Sequence, residues 1–474
     1  MKTSTTSKHL PPGPKGHFLV GVLPEYSRNP LGFFSHCAKT YGDIVYLGGW
    51  IPSYLLNHPD LIEQMLVSQQ HNLIKSRLGN ITKPLLGNGL LMSEGDFWKQ
   101  QRHLIQPAFH RDRIADYARV MVDYTQQMLT TWQDGEIRDI HHEMMQLTLA
   151  IVAVTFFGSD VEADIDVIDQ TVKVTLTHFD KSSTNLLWFL LPNSIPTPDN
   201  LRFRKAVKQL DAVVYRLIQQ RRTSTKETGD LLSMLLHLQA EDGTQMSDRQ
   251  LRDEVMTFIL AGHETTALVL SWTWYLLAKH PEVEAKLLTE LQTVLTGRVP
   301  TLTDLPQLPY TEWIILESMR LYPPVWAIPR TVAQDCEIAG YRVKAGNGLI
   351  ASQWIVHRDP RWFSNPETFN PDRWANDFAK RLPSGAYFPF GGGARICIGK
   401  AFAMMEARLL LATITQAYQI TLIQEEPVEP WPSLTLRPKQ GITVRLNQRS
   451  RQGNAANKML ERQFINPNNP VSSS

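Results

Sequence analysis

Two long stretches of the chain repeat apolar residues at helical spacing, and they predict its longest helices. In the first, residues 247–280, Ser247 and Gln250 have the spacing of an N-terminal capping box, and Pro281 disfavours helix at the residue before it. This helix should span roughly 50 Å and run through the core, because it is apolar on several faces. The second stretch starts near Ile398 and continues to about Gln419.

Short β-strands are predicted near both ends of the chain. Residues 43–47 and 53–57 flank a Gly-Gly turn, and residues 434–437 and 442–446 flank a Pro- and Gly-containing turn, which predicts a late hairpin. Between them helical patterns dominate, except in a loop-rich stretch at 323–393. We therefore expect a mainly α fold with a minor β region.

The domain organisation follows from the same patterns and from the absence of an internal Gly/Ser linker or repeat. A proline-containing lead-in over residues 1–20 should precede a single domain over residues 21–446. Residues 447–474 are polar and rich in Asn and Ser, which predicts a disordered tail.

Charge and apolar content limit the classes of function. The net charge is +2, which favours neither nucleic acid nor an anionic membrane as a partner. The N-terminus lacks the apolar core of a signal peptide, and the longest apolar run is shorter than the ~20 residues of a membrane helix. These features predict a soluble, cytoplasmic protein without a membrane anchor.

Cysteine placement points to chemistry at one position. Cys37, Cys336 and Cys397 have no paired spacing, so no disulfide framework is predicted. Cys397 follows the glycine run 391–393 at a predicted helix N-terminus, where unpaired amides and the helix dipole should lower the pKa of its thiol. A lone thiolate facing glycines suits a metal that brings ligands of its own, such as haem iron.

Three alternatives compete for Cys397. Most lone cysteines are small buried apolar residues, and we assign Cys37 and Cys336 to that class. A nucleophilic cysteine would need a histidine base nearby, which the sequence neither shows nor excludes. A phosphate-binding loop is disfavoured, because no Lys-Ser/Thr follows the glycines and no βαβ unit precedes them.

The stretch FPFGGGARICIG resembles the haem-binding signature of the cytochrome P450 family, the haem-thiolate monooxygenases of the soluble bacterial type. The resemblance implies that Cys397 is the axial iron ligand, that Phe390 packs beside it, and that Arg395 reaches a haem propionate. It also implies that Gly391 and Gly399 contact haem b, and that the long helix 247–280 lies over the haem.

The long helix contains AGHETT, residues 261–266, which resembles the oxygen-activation segment of that family. The resemblance implies that Ala261 and Gly262 leave room for dioxygen, and that Glu264 and Thr265 deliver protons to it. The alternatives are close helix packing for Gly262 and a bond from Thr265 to its own helix. A zinc-binding HExxH pattern is excluded, because Ala267 stands where its second histidine would be.

Further residues extend the resemblance. Glu317 and Arg320 share a helix face at i,i+3 spacing, and with Arg373 they match a structural network of the family. Their alternative is an exposed ion pair of little energetic weight. Three more residues match haem-propionate contacts of the family: Trp98, Arg102 and Arg330.

The resemblance implies a monooxygenase that inserts one oxygen atom from dioxygen into C–H bonds of an apolar substrate. Long-chain fatty acids and terpenoids are the predicted substrate classes. A peroxygenase, an oxygen-independent isomerase and a non-catalytic haem sensor or electron carrier are alternatives, and a paired acid and alcohol at 264–265 argues against them. We expect a monomer.

Electrons should come from a separate ferredoxin or flavodoxin, because three cysteines cannot hold a Cys₄ iron–sulfur cluster. A basic docking face and the substrate pocket are assigned provisionally, with scattered solvated charges and ordinary core as their alternatives. The docking face would comprise Lys99, Arg111, Arg113 and Lys400. The pocket would comprise residues 78–92, 185–191, including Leu187, Trp188 and Phe189, Ala261 and residues 325–328, with Lys75 or Arg77 at its mouth.

Overall fold

The structure is a computed structural model that describes residues 10–17, 20–49, 51–76, 82–109, 111–158, 161, 164–184, 195–224, 230–237 and 245–449. For residues 111–114, 180 and 182–184 it describes the backbone alone. The helices are, in chain order, α1 (Leu23–Arg28), α2 (Pro30–Tyr41), α3 (Pro59–Glu63), α4 (Lys83–Leu86), α5 (Gly95–Ile105), α6 (Arg111–Thr130), α7 (Ile140–Phe157), α8 (Ile165–Thr184), α9 (Pro198–Thr223), α10 (Leu231–His237), α11 (Asp248–Lys279), α12 (Pro281–Leu295), α13 (Pro309–Leu321), α14 (Gln353–Val356), α15 (Phe378–Arg381) and α16 (Lys400–Ala417).

The strands are short and form small sheets beside the helical core, which confirms the predicted mainly α fold with minor β structure. They are, in chain order, β1 (Ile44–Leu47), β2 (Ser53–Leu56), β3 (Leu73–Lys75), β4 (Ile137–Asp139), β5 (Ile328–Val332), β6 (Cys336–Ile338), β7 (Tyr341–Val343), β8 (Gly348–Ala351), β9 (Tyr418–Leu422), β10 (Pro430–Pro432), β11 (Leu436–Pro438) and β12 (Thr443–Gln448).

The central helix α11 has the bounds that the sequence predicts. The Ser247 side chain accepts a hydrogen bond from the Gln250 N–H at 3.2 Å, and the helix ends at Lys279, directly before His280 and Pro281. Its 32 residues are buried on nearly every face, by α7 on one side and by α13 and α16 on others. The large helical core therefore forms around this element.

Sheet pairing brings distant segments together. The main sheet has the order β1-β2-β8-β5-β3, and the predicted pair β1–β2 is antiparallel. Strands β5 to β8 lie inside the stretch 323–393, which the sequence predicts to be loop-rich. They are three to five residues long, too short to show a clear alternation of apolar and polar positions.

The predicted late hairpin is wrong. β11 pairs with β10, whereas β12 is the middle strand of the sheet β4-β12-β9. Val444 and Leu446 of β12 are fully buried, so placing them between two strands removes more apolar surface from water than a terminal hairpin would. β12 also continues to Gln448, so residues 447 and 448 belong to the sheet and not to the tail predicted from 447 onwards.

Two helices, α7 and α11, are long and apolar enough to cross a membrane by length and composition. Their apolar windows are 67% and 83% buried inside the protein, which is the pattern of core helices. Both pack against each other in the same apolar cluster.

Candidate functional site

The cysteine loop, residues 388–399, places Cys397 between a 3₁₀ turn at Gly393–Arg395 and the first residue of α16, Lys400. The Cys397 N–H donates to the Phe390 carbonyl oxygen at 2.9 Å, which closes the loop on itself. The Cys397 side chain is exposed, whereas the other two cysteines are buried or half-buried. Cys397 is therefore the cysteine placed for ligand binding.

Two glycines are required by the geometry of this loop. Gly391 and Gly393 have φ angles of 73° and 63°, in the left-handed region that favours glycine. A Cβ on Gly393 would lie 1.9 Å from the Leu66 carbonyl oxygen, so no other residue fits there. Gly399 is the N-cap residue of α16, two positions after Cys397.

The lowered pKa expected for Cys397 is not observed. Although the Cys397 side chain is accessible, the protein atoms packed around its sulfur displace water and raise the pKa of the thiol above its ordinary value, and this effect outweighs the opposing Gly399 backbone hydrogen bond and the charges of Arg102 and Lys400. A thiolate loses hydration among protein atoms, and the helix end does not replace all of it. A coordinated metal cation would reverse the balance, because it deprotonates its thiol ligand.

A cluster of cations lies beside the loop. Lys75 of β3 stands opposite Arg330 of β5 in the antiparallel register, and both face Arg395. Burial, with repulsion from the two arginines, lowers the pKa of Lys75 to about 7, and burial lowers that of Arg330 to about 10. Glu94 is the acid that opposes these shifts. Such a surplus of half-buried positive charge fits an anionic group, and the two haem propionates are of that kind.

Helix α5 holds the cysteine loop from the other side. The Arg102 Nη1 donates to the Ile396 carbonyl oxygen at 3.0 Å, and the Arg395 guanidinium stacks 4.0 Å from the centre of the Trp98 ring. Arg395 also donates to the Ser93 carbonyl oxygen at 2.8 Å. The structure thus brings Trp98, Arg102 and Arg395 together around the backbone that precedes Cys397.

The middle of the central helix α11 is buried except on one face. Between residues 251 and 277, all described, every residue is buried except Ala261, Gly262 and Thr265. These positions, i, i+1 and i+4, lie on one side of a helix. This accessible face belongs to the segment AGHETT, residues 261–266. An accessible surface in the middle of a core helix fits a group bound beside it.

Gly262 and Thr265 make the local contacts named above as alternatives to a role at dioxygen. These are close helix packing for Gly262 and a hydrogen bond within its own helix for Thr265. A Cβ on Gly262 would approach Val152 Cγ2 of α7 at 3.2 Å, so its missing side chain permits close packing of α7 on α11. The Thr265 hydroxyl donates to the Ala261 carbonyl oxygen at 2.8 Å. The missing Gly262 side chain therefore permits close packing of α7, and room for dioxygen at Gly262 stays a prediction, while Thr265 keeps a hydroxyl on the exposed face.

Glu264 does not share that face. Its carboxylate is 2% exposed, accepts a hydrogen bond from Thr435 at 2.7 Å and forms an ion pair with Arg437 of β11. Adjacent helical residues point about 100° apart, so the acid and the alcohol lie on different sides of α11. In this conformation Glu264 holds β11 on the central helix instead of presenting a proton beside Thr265.

The residues predicted to form a structural network do so. Glu317 and Arg320 of α13 are fully buried and paired at 2.9 Å, and the Arg373 Nε donates to Glu317 at 2.9 Å. Glu317 further accepts from the Trp374 indole N–H at 2.9 Å and the Asn370 N–H at 3.0 Å. The exposed-pair alternative is thereby excluded.

The structure also shows the surroundings of several residues that the sequence assigns to the substrate pocket or the docking face. Lys75 belongs to the cation cluster, a role that the sequence did not reveal because it depends on the pairing of β3 with β5, and its place at a pocket mouth stays a prediction. Trp326 is buried in an apolar cluster below the main sheet, which supports the ordinary-core alternative for that residue. Lys99 is exposed and pairs with Asp96 at 2.7 Å, and Lys400 is exposed.

Other assignments fall outside the described part of the chain. These are Arg77 and residues 78–81, residues 185–191 with Leu187, Trp188 and Phe189, and the side chains of Arg111 and Arg113. They keep the status of sequence predictions.

Fold and site together are those of a haem-thiolate oxidoreductase: a cysteine loop, a cluster of half-buried cations and a core helix with one exposed face. Comparisons with known proteins give the family. The chain belongs to the cytochrome P450 family, whose family model matches residues 11–445. It is accordingly an oxidoreductase of the monooxygenase type with a haem-thiolate cofactor.

Two bacterial relatives and one solved structure show the extent of the similarity. Cyclooctatin synthase of Streptomyces melanosporofaciens is 36% identical over 427 residues, covering 89% of this chain and 92% of that protein. Cyclooctat-9-en-7-ol 5-monooxygenase of the same organism is 37% identical over 405 residues, covering 85% and 87%. The crystal structure of the cytochrome P450DA heme domain matches with a TM-score of 0.83 at 26% identity, covering 93% of this chain and 98% of that one.

Proposed function

We propose that this protein is a haem b monooxygenase that hydroxylates a cyclic terpenoid, with electrons from a separate ferredoxin or flavodoxin. One observation supports the site above all: the exposed thiol of Cys397 and three cations that share the single acid Glu94, namely Lys75, Arg330 and Arg395, adjoin one loop. We further propose that it acts as a soluble, cytoplasmic monomer, with residues 21–448 as its domain.

Each residue group has a distinct task in this proposal. Cys397 would hold the iron as a thiolate, the cation cluster would hold the propionates, and Trp98 and Arg102 would keep the loop in place through Arg395 and Ile396. Haem bound there supplies the activation of dioxygen and the insertion of oxygen into a C–H bond.

Proton delivery in this proposal rests on Thr265. Its hydroxyl stands on the exposed face of α11, and a rotation about χ1 releases it from the Ala261 carbonyl oxygen. A positioned proton donor contributes about 10²–10⁴-fold to such a step. Glu264 would take part only after leaving Arg437, so we assign it first to holding β11.

The substrate class is inferred from the relatives. The name of one of them gives oxidation of cyclooctat-9-en-7-ol, an unsaturated cyclic alcohol of the terpenoid class, at 37% identity. A long-chain fatty acid is the other class predicted from the apolar residues of the chain. Terpenoids are favoured because two relatives that match most of their own length share that chemistry.

An optical titration of the ferric holoprotein tests this function. Cyclic diterpenes and sesquiterpenes should give a saturable spin-state shift of the Soret band, and dodecanoic acid should not. A shift with dodecanoic acid alone would replace the terpenoid proposal by fatty-acid oxidation.

Separate experiments test product formation and the ligation of the haem iron by Cys397. Product should form with NAD(P)H, a ferredoxin or flavodoxin and its reductase; product with peroxide alone, or without any oxidant, would favour the peroxygenase or isomerase alternative. Cys397→Ser should abolish the red-shifted Soret band of the ferrous–CO complex, whereas Cys336→Ser should keep it. A Cys397→Ser protein that retains this band would contradict the proposed axial ligand.

A further inference from the structure

A short segment, residues 87–94, joins the central helix to the cysteine loop, and we name it the bridging segment. Its first half rests on two adjacent acids of α11. The Asn88 N–H donates to Asp253 Oδ2 at 2.8 Å, and the Leu90 N–H donates to Glu254 Oε2 at 2.8 Å. Both acids are buried, with exposures of 4% and 0%. Two backbone amides of the segment are thus held by carboxylates of one helix.

Glycines allow the segment to lie directly on the helix. A Cβ on Gly87 would stand 2.1 Å from the Asp253 carboxyl group, and a Cβ on Gly89 would stand 2.3 Å from Thr257 Oγ1 and 2.4 Å from the Asp253 carbonyl oxygen. An added Cβ at either position would therefore push the segment away from the helix. The contact between segment and helix is therefore a direct backbone contact.

The second half of the segment rests on the cysteine loop. The Ser93 carbonyl oxygen accepts from Arg395 Nη1 at 2.8 Å, and Glu94 pairs with Arg395 Nη2 at 2.5 Å. Glu94 also accepts from the Lys75 N–H at 2.6 Å. Between the two anchored halves, Leu91 is 45% exposed and Met92 is half-buried.

The two acids are themselves held in position. Arg252 pairs with Asp253 at 2.9 Å, and the Gln250 side chain donates to Glu254 at 2.7 Å. On the solvent side of the Asn88–Asp253 contact lies an open groove of about 420 Å³, lined among the described residues by Lys83, Phe97 and Arg249. On this open side, the two acids accept the amides of residues 88 and 90 and so anchor the first half of the segment on α11.

We propose that Asp253 and Glu254 are positioning residues that determine which carbon of the substrate is oxidised. They set the place of Leu91 and Met92 relative to the exposed face of α11, so that the bridging segment forms a fixed wall of the substrate pocket. The acids and Thr265 belong to the same helix, about 17 Å apart along its axis at the usual rise. This inference depends on the proposed function in one respect only, the choice of a cyclic terpenoid as substrate.

Rigid placement matters because reaction at one C–H bond depends on small distances. A displacement of about 1 Å of the wall can change the rate at a given carbon by about 10²-fold. Because the wall is held at both ends, on α11 and on the cysteine loop, we expect it to move only when one of these contacts is lost. Removing the Glu254 carboxyl group is the smallest change that breaks the contact on α11.

Hydrogen–deuterium exchange of the holoprotein tests the anchor without any substrate. In Glu254→Ala, amides in peptides covering residues 82–94 should exchange at least 10-fold faster than in the wild type. Glu254→Gln should stay near the wild type, since its amide oxygen still accepts from Leu90. Glu284→Ala is the matched control: it removes a buried acid that pairs with Arg449 at 2.6 Å, far along the sequence from the segment. Unchanged exchange in Glu254→Ala would overturn the proposal.

Product analysis tests the consequence. With the cyclic diterpenes that bind the wild type, Glu254→Ala and Gly89→Ala should shift the ratio of regioisomers at least threefold, with an unchanged ferrous–CO spectrum. Glu254→Gln and Glu284→Ala should keep the wild-type ratio. Gly89→Ala displaces the segment without touching a carboxylate, so it also serves if Glu254→Ala yields no holoprotein.

A substrate-independent probe separates this inference from the proposed function. 4-Phenylimidazole ligates haem iron and places a bulky ring in the pocket, so its Kd should change at least threefold in Glu254→Ala and not in Glu254→Gln. If the wild type oxidises no terpenoid, the proposed substrate fails while exchange and 4-phenylimidazole binding still decide the role of Glu254. Faster exchange with an unchanged product ratio and an unchanged Kd would show that the segment is not a pocket wall.

Discussion

Glu406 is a buried carboxyl group on α16, the helix that begins three residues after Cys397. It has no exposed surface, and neither of its oxygens has a hydrogen-bond partner among the described residues. Burial raises its pKa to about 8, and the nearby Thr266 hydroxyl, which donates to the Gly262 carbonyl oxygen at 3.3 Å, opposes this shift. The native protein therefore keeps a proton on Glu406 at neutral pH.

This proton makes the free energy of unfolding depend on pH. From about pH 5 to about pH 8 the native state holds a proton that the unfolded chain has released, so stability falls as the pH rises, by up to about 1.4 kcal/mol per pH unit. Glu406→Gln removes this contribution, so its stability should fall less steeply over that range. Urea unfolding of both holoproteins, followed by tryptophan fluorescence, measures the slopes. Equal slopes would show that Glu406 is ionised in the native state.

At the scale of elements, Glu317 connects α13 to the 3₁₀ turn at Pro371–Trp374. Glu317→Ala leaves Arg320 and Arg373 buried without their carboxylate, and should lower the free energy of unfolding by about 3–5 kcal/mol. Arg373→Ala should cost less, because Glu317 keeps its two bonds to Arg320 at 2.9 Å. Urea denaturation of the two holoproteins gives this order. A larger loss in Arg373→Ala would mean that Arg373, and not Glu317, is the centre of the network.

At the scale of the whole molecule, β12 closes the helical core near the end of the chain. It pairs with β4 and β9, and it buries Val444 and Leu446. A chain truncated after residue 449 should keep the holoprotein spectrum and the Tm of the full chain, because it retains this strand. A chain truncated after residue 442 should fail to yield holoprotein, because β4 and β9 lose the strand between them. Equal behaviour of the two chains would contradict the central role of β12.

Much of the candidate site could be predicted because its parts are local. The Ser247 cap, the left-handed glycines before Cys397 and the i,i+3 pair of Glu317 and Arg320 depend on residues a few positions apart, so their spacing is visible in the sequence. The expected lowering of the Cys397 pKa was wrong, because that pKa depends on the protein atoms that pack around the thiol.

The sequence by itself therefore determined the long helices, the cysteine loop and the family to which they belong. Only the tertiary structure decided that Lys75 joins Arg330, that Glu264 pairs with Arg437, and that the amides of residues 88 and 90 rest on two acids of α11. The physical reason is the range of the interactions. Helix caps and turns use hydrogen bonds between near neighbours, whereas these pairings link residues more than 160 positions apart and depend on which strands and helices meet in the folded core.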